Sequence, residues 1–230
     1  MDVLAAGESW AVVAKPSGLA VHRSELVRDR HTLVGAARRV FGPDVAPVHR
    51  LDRATSGCLL LSLRPDATAA LQAALTVGEK RYLAVVRGHV APLEPIRYDQ
   101  PLGSDHGDKD AVTVFSPIAG CDEPRCSLVL ATPLTGRFHQ IRRHLRDLSH
   151  PVLGDSSHGD TRINQWWRAE YGLARLALHN LGLRFTAPDG ASVEVTCPLP
   201  DDLRSVAVRL PWWGAAVAAL PELLTPAVAS

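Results

Sequence analysis

Short apolar runs follow one another along the chain with few helical segments between them, and this order constrains the fold more than any other feature. Where two runs adjoin through a short turn, no crossover helix can join them, so the strands are expected to pair antiparallel. The sequence therefore predicts an α+β fold, a mainly antiparallel mixed sheet with flanking helices. The runs lie at 10–14, 45–51, 57–63, 81–90, 111–115, 126–131, 181–186 and 192–196.

Four segments have helical spacing or helix boundary residues instead. They are 32–41, which stops at Gly42-Pro43, 65–77, which stops at Gly78, 135–148, and a segment that begins at Asp201. In 135–148, apolar residues recur at steps of three and four, which predicts a stripe that faces the core: Phe138, Ile141, Leu145 and Leu148. A cationic stripe is predicted beside it: His139, Arg142, Arg143 and Arg146.

Length and composition allow one sizeable core, or one core with two lobes around a cleft, and we expect a single domain over 1–210. The tail 211–230 has no evident role. With a net charge of +1, any affinity for nucleic acid must come from local clusters of positive charge. The acidic start, the lack of a membrane-length apolar run and four scattered cysteines favour a cytoplasmic protein with buried thiols.

A dense group of charged residues occupies the turn between the runs 45–51 and 57–63. Asp52 lies there between Arg50 and Arg53, and nearby positive charge favours an ionised carboxylate. Such a carboxylate can act as a nucleophile or a base. Taken alone, the pattern also fits a structural aspartate in a turn flanked by solvated arginines.

Two further residues could take part in the same chemistry. Arg142 could supply a planar, two-pronged guanidinium to a carboxylate, although a solvated helix face would look the same. Tyr82 could stack on a base and offer a phenol as acid or base, although a core tyrosine on a strand is equally consistent.

Other chemistries lack their motifs. No metal site is predicted, because Asp155, His158 and Asp160 match no ligand spacing and fit a polar loop. The chain has no phosphate-binding loop, no dinucleotide fingerprint and no serine elbow. We therefore expect no cofactor.

Taken together, the ordered segments resemble the RluA-type pseudouridine synthase family from about residue 11 to residue 198. The resemblance rests on KPSGLAVH at 15–22, HRLDRATSG at 49–57, KRYLAVVRG at 80–88, TGRFHQIRRH at 135–144 and HPVLGD at 150–155. Residues 144–164 are further similar to a branch that acts on transfer RNA. Phe138 departs from the small hydroxyl residue usual in the family.

The resemblance implies the pseudouridine synthase fold with a central catalytic cleft, and the isomerisation of uridine in structured RNA without cofactor or metal. It implies that Asp52 is the catalytic carboxylate, that Arg142 holds it and that Tyr82 stacks on the uracil. Arg50 would fill the space left by a flipped base. The remaining expected RNA contacts are Arg53, Arg137, His139, Arg143 and Arg146.

The expected partner is an RNA, at the base of the T stem of tRNA, and no membrane; the protein is expected to be a monomer. Three alternatives stay open. The same chemistry could act on ribosomal RNA or the tRNA anticodon arm. The chain could be a non-catalytic RNA-binding or RNA-folding module. It could also be an N-glycosylase.

Overall fold

The computed structural model describes residues 1–22, 31–90, 94–104 and 107–225. Within these residues the strands are β1 (Asp2–Ala6), β2 (Trp10–Lys15), β3 (Ala46–Pro47), β4 (Ser56–Ser62), β5 (Glu79–Arg87), β6 (Ile96–Tyr98), β7 (Leu102–Ser104), β8 (Gly107–Lys109), β9 (Thr113–Asp122), β10 (Arg125–Pro133), β11 (Leu178–Thr186) and β12 (Ser192–Thr196). The helices are α1 (Leu33–Phe41), α2 (Thr68–Val77), α3 (Gln140–Asp147), α4 (Thr161–Tyr171), α5 (Asp201–Ala207) and α6 (Trp213–Ala219). Short 3-10 turns occupy Pro65–Ala67 and Pro221–Leu224.

The chain divides into two compact units. Among the described residues, the first holds Met1–Lys80 and Asn180–Pro198, and the second holds Arg81–His179 and 199–225. In each unit the strand pairs with a defined register are antiparallel. The predicted α+β class with a mainly antiparallel sheet is therefore confirmed.

In the first unit the strands follow the order β1-β2-β4-β11, with β12 paired to β11 and β3 paired to β4. Helix α2 packs on this sheet through Leu71 and Leu75, which are both buried in one apolar cluster. The rings of Trp10 and Phe185 meet edge to face in the same cluster, with centroids 5.3 Å apart. This core supports β4, the strand that follows the charged turn.

In the second unit the order is β5-β10-β9-β6, and β7 and β8 form a separate hairpin. Both faces of this sheet carry buried side chains, with Leu83 of β5 on one face and Val129 of β10 and Phe115 of β9 on the other. The tail belongs to this core: Trp212 and Leu223 are buried, and Glu222 forms an ion pair with Arg81 at 2.9 Å. Residues 226–230 lie outside the described part of the chain.

Local signals account for the elements that sequence reasoning located. Thr32 caps α1 by accepting a hydrogen bond from the backbone N–H of Gly35, and Gly42 ends the helix with a φ of 103°. Helix α4 escaped prediction although its boundaries carry the same signals. Asp160 accepts hydrogen bonds from the N–H groups of Arg162 and Ile163, and Gly172 ends α4 in the left-handed conformation.

The predicted strand 45–51 was too long, because β3 covers only Ala46–Pro47. The Val48 N–H still donates to the Leu60 carbonyl, but the Leu60 N–H donates to the Nε2 atom of His49 instead of to a backbone carbonyl. The His49 side chain thus replaces the next backbone acceptor of the β3–β4 pair. The backbone after Val48 is therefore not paired with β4 and forms the charged turn.

The predicted helix 135–148 was also too long, since α3 begins at Gln140. His139 has a left-handed backbone with a φ of 52°, which cannot continue a right-handed helix backwards. Phe138 is consequently 67% exposed, so its predicted place on the core stripe was wrong. No helix among the described residues has both the length and the apolar character needed to span a bilayer.

Candidate active site

The Asp52 turn connects Val48 to β4, with Asp52 half-buried and Arg50 and Arg53 exposed. The Asp52 carbonyl accepts a hydrogen bond from the Thr55 N–H at 3.1 Å, which closes the turn. Thr55 and Ser56 are buried directly afterwards as β4 begins. The carboxylate therefore sits at the boundary between solvent and the core of the first unit.

Lys15 braces this turn from below. Its side chain is 1% exposed, and its ammonium donates to the carbonyls of Pro16, Leu19 and Arg53 at 2.9, 2.7 and 3.0 Å. A buried ammonium is tolerated only when its N–H donors have such acceptors. The buried Lys15 thus ties the 15–19 segment to the residue that follows Asp52.

Three more hydrogen bonds join the same two segments. Ser17 Oγ donates to the Ala54 carbonyl at 2.7 Å, and the Gly18 N–H donates to the Arg53 carbonyl at 2.8 Å. In return, Arg53 Nε donates to the Gly18 carbonyl at 2.8 Å. Arg53 is therefore a structural member of the turn, and its expected contact with RNA stays a prediction.

His49 fixes the other end of the turn. Its Nε2 atom accepts the Leu60 N–H at 3.1 Å, so this nitrogen carries no proton and the ring is neutral. Burial, reinforced by the positive charge of Lys80, lowers the pKa of His49 to about 4. At neutral pH the imidazole is consequently a stable acceptor.

Gly57 allows the backbone of β11 to approach β4 closely. It has a φ of +116°, and a Cβ atom built on it would lie 2.2 Å from the Asn180 carbonyl oxygen. Asn180 Nδ2 also donates to the Cys58 carbonyl at 2.8 Å. A side chain at position 57 would push apart the two strands that hold the Asp52 turn.

Tyr82 lies on β5 in the second unit, 7% exposed and opposite Ala131 of β10. Its neighbours Leu83 and Val85 line an apolar cavity together with the tail residues Trp212 and Leu223. Because side chains alternate along a strand, Tyr82 points to the face of β5 opposite the tail. The tail therefore packs behind the strand that presents Tyr82.

Arg142 forms a buried, two-pronged ion pair with Asp155. Its Nε and Nη2 atoms donate to the two carboxylate oxygens, each at 2.7 Å, and both side chains are almost fully buried. Burial alone would raise the pKa of Asp155, but hydrogen bonds from Arg142 and from the N–H groups of Ser157 and His158 hold it below its usual range. The two bonds take two of the five N–H groups of the guanidinium.

The loop around Asp155 keeps that carboxylate in place. Asn164 bridges it, since its Oδ1 accepts the Gly154 N–H and its Nδ2 donates to the Asp155 carbonyl, each at 2.9 Å. A Cβ atom on Gly159 would lie 2.5 Å from the same carbonyl oxygen. This polar loop is a cradle for the partner of Arg142, a role that sequence spacing did not suggest.

Gln140 anchors the start of α3. Its Oε1 accepts from Thr135 Oγ1 at 2.7 Å and from the Arg137 N–H at 2.9 Å. Its Nε2 donates to the Val112 carbonyl and to Thr113 Oγ1, each at 3.0 Å. The motif residues Thr135 and Gln140 thus fix the turn that precedes Arg142.

The other predicted cations lie around the same helix. Arg137 and Arg143 donate to the backbone carbonyls of Asp110 and Gly103, at 2.8 and 3.1 Å. These acceptors are neutral, so neither bond cancels the charge of the guanidinium. Arg146 is paired with the Asp147 carboxylate instead. Their expected contacts with RNA phosphates, like that of His139, stay predictions.

The structure thus groups the predicted residues by unit. Asp52, Arg50 and Arg53 lie in the first unit, and the others lie in the second: Tyr82, Arg137, His139, Arg142, Arg143 and Arg146. Within residues 1–22, 31–90, 94–104 and 107–225, no group of three or more His, Cys, Asp or Glu side chains could hold a metal ion.

Comparison with known proteins identifies the family. Residues 9–147 match the model of the RNA pseudouridylate synthase family. The chain is 34% identical to tRNA pseudouridine synthase C of Vibrio vulnificus (strain CMCP6), over 82% of this chain and 86% of that protein. It is also 34% identical to tRNA pseudouridine synthase C of Yersinia pestis, over 94% of this chain and 93% of that protein.

A solved structure agrees with these relatives. Human RNA Pseudouridylate Synthase Domain Containing 1 superposes with a TM-score of 0.66 at 26% identity, over 94% of this chain and 86% of that one. Fold, motifs and relatives lead to one conclusion: the chain belongs to the RNA pseudouridylate synthase family and is an isomerase that converts uridine to pseudouridine in RNA.

Proposed function

We propose that the chain converts uridine to pseudouridine in tRNA, at the base of the T stem, with Asp52 as its catalytic carboxylate. The tRNA substrate is supported by the relatives named tRNA pseudouridine synthase C, because the match with this chain covers 86% and 93% of their length. The residues 144–164, which resemble the tRNA-acting branch, include the Asp155 cradle that holds Arg142.

The network of hydrogen bonds that holds the Asp52 turn is the observation that carries the catalytic assignment. A solvated turn aspartate needs no buried lysine beside it. Here the buried Lys15 ammonium donates to the carbonyl of Arg53, the residue after Asp52, and to two carbonyls of its own segment, those of Pro16 and Leu19. His49 and Gly57 fix the two ends of the turn. Such a preorganised carboxylate is what a reaction at a single atom of the substrate requires.

The reaction breaks the bond between N1 of uracil and C1′ of ribose and forms a bond between C5 and C1′. C5 releases its proton, and N1 takes up a proton. Atoms and electrons balance without an oxidant or reductant. Asp52 would attack the sugar, attack the ring, or remove a sugar proton, and an ionised carboxylate suits each role. Tyr82 would stack on the uracil and take the C5 proton, and Arg142 would hold the Asp52 carboxylate by charge.

A uridine in a stem must leave its stack before a carboxylate can reach it, at a cost of a few kcal/mol. Arg50 is exposed beside Asp52, so its side chain can enter the RNA where the base has left. Arg137 and Arg143 would bind backbone phosphates, because each guanidinium donates to a neutral carbonyl and has further N–H groups to offer.

The test is release of tritium from unmodified tRNA labelled at uracil C5, with mapping of the modified nucleotide. Wild-type protein should release tritium, Asp52→Asn should release none while still binding tRNA, and the exposed Asp44→Asn should match wild type. A map to the base of the T stem supports the target. Release that maps elsewhere would overturn the target, and turnover by Asp52→Asn would overturn the catalytic assignment.

A further inference from the structure

Phe138 is a large apolar residue in the turn before α3, and 67% of its surface is exposed. Isolated apolar residues on a surface are common and need no explanation by themselves. The ring of Phe138, however, is stacked on the neighbouring side chain of His139, and this second observation gives it significance.

The ring stacks on the imidazole of His139, with centroids 3.7 Å apart and planes inclined by 19°. His139 adopts a left-handed backbone conformation, which carries a free-energy cost for a residue other than glycine. Such a conformation persists only where surrounding contacts enforce it. The stacked pair is therefore a preorganised feature of the turn.

His158 enforces it. His139 Nδ1 and His158 Nε2 share a hydrogen bond at 3.1 Å, and the two rings meet edge to face at 86°. The His158 N–H donates in turn to Asp155 Oδ1 at 3.0 Å. An unbroken series of contacts thus runs from the exposed ring of Phe138 to the buried pair of Asp155 and Arg142.

Two arginines flank the stacked pair along the chain. Arg137 precedes Phe138 directly and Arg143 follows one turn into α3, and each is oriented by a bond to a neutral carbonyl. An exposed aromatic face beside guanidinium groups is the arrangement that proteins use to hold an unstacked base and its phosphates.

We infer that the Phe138–His139 stack is a platform for an unpaired base of the RNA substrate, one other than the target uridine. The inference rests on the proposed function, which supplies a substrate whose stem must open. When the target uridine leaves the stack, a neighbouring base loses its own stacking partner, and Phe138 offers a replacement surface. Phe138 is then a residue for substrate binding, with no part in bond breaking.

The experiment compares Phe138→Leu, which removes the aromatic face, with Phe138→Trp, which keeps it. The matched control is Trp166→Leu, which removes another exposed aromatic side chain of the same unit. Kd is measured by fluorescence anisotropy for unmodified tRNA and for a single-stranded RNA oligonucleotide, and kcat and KM are measured by tritium release. Thermal unfolding checks that each variant is folded.

Phe138→Leu should weaken the binding of both RNAs and raise KM by about 5- to 150-fold, with kcat unchanged. Phe138→Trp and Trp166→Leu should both resemble wild type. Wild-type affinity in Phe138→Leu, or an equal loss in Trp166→Leu, would overturn the platform. If the wild-type protein released no tritium from tRNA, the proposed function would fail, while the oligonucleotide affinities would still decide the role of Phe138.

Discussion

Arg142 and Asp155 meet in parallel alignment, two nitrogens against two oxygens at 2.7 Å each, where almost no water reaches. A planar guanidinium fixed in this way along one edge presents its remaining edge in a defined direction. We therefore predict that Asp155 is a positioning residue, one that acts through Arg142.

Asp155→Asn should lower the free energy of unfolding by about 3–5 kcal/mol, because it leaves the Arg142 charge buried without its partner carboxylate. Turnover should fall with it. Asp147→Asn breaks the more exposed pair with Arg146, and there the loss should stay within about 1 kcal/mol. Urea unfolding of both variants checks this, and equal losses would contradict the importance of the buried pair.

His49 should make the stability of the protein depend on pH. Its pKa is about 4 in the folded protein, against an ordinary value of 6.5 for histidine. Between these values the unfolded chain binds more protons, so stability rises with pH. The contribution is fully present above 6.5 and is lost as the pH falls to about 4, and it amounts to roughly 3 kcal/mol.

His49→Gln is the matched variant, since an amide oxygen can accept the Leu60 N–H but does not titrate. Urea midpoints measured near pH 7 and near pH 5 should differ more for wild type than for the variant. An identical pH dependence in the two proteins would show that the His49 ring is not held neutral.

Gly57→Ala should disrupt the support of Asp52. The new methyl group would collide with the backbone of Asn180, and the alanine would have to adopt a positive φ. We therefore expect the free energy of unfolding to fall by roughly 3 kcal/mol or more, and turnover to fall as well. Gly190→Ala adds a methyl group at a φ of +87° with no atom within 4 Å, and it should lower the free energy of unfolding by only about 1–2 kcal/mol. Chemical denaturation distinguishes them, and a harmless Gly57→Ala would refute the close approach.

Leu223 and Leu224 test whether the tail is part of the core. Leu223 is 0% exposed and Leu224 is 54% exposed. Leu223→Ala should lower the free energy of unfolding by about 2–5 kcal/mol, whereas Leu224→Ala should change it by less than about 0.5 kcal/mol. Differential scanning calorimetry measures both, and a neutral Leu223→Ala would mean that the tail contributes little to the second unit.

Sequence reasoning succeeded where a local signal determines the outcome. The Thr32 cap and the Gly42 stop define α1, and runs of apolar residues locate β4, β10 and β12. The family motifs identified Asp52, Tyr82 and Arg142 as candidates, although their catalytic roles stay predictions.

Sequence reasoning failed where a side chain replaces a backbone interaction. The imidazole of His49 ends β3 early, and the left-handed residue His139 makes α3 begin after Phe138, so Phe138 does not join the predicted stripe. Neither effect has a periodicity that a pattern of apolar residues can reveal. The bond between Arg142 and Asp155 depends likewise on how a polar loop folds back on a helix.

The first unit is assembled from two distant parts of the chain, and this has a consequence for biosynthesis. Cys58 and Asn180, which bond to each other, are 122 positions apart. At about 5–20 residues per second, a ribosome needs roughly 6–25 s to reach Asn180 after it has made Cys58. During that interval β4 lacks its neighbour β11. The nascent protein therefore cannot hold the Asp52 turn in place until most of the polypeptide has been translated.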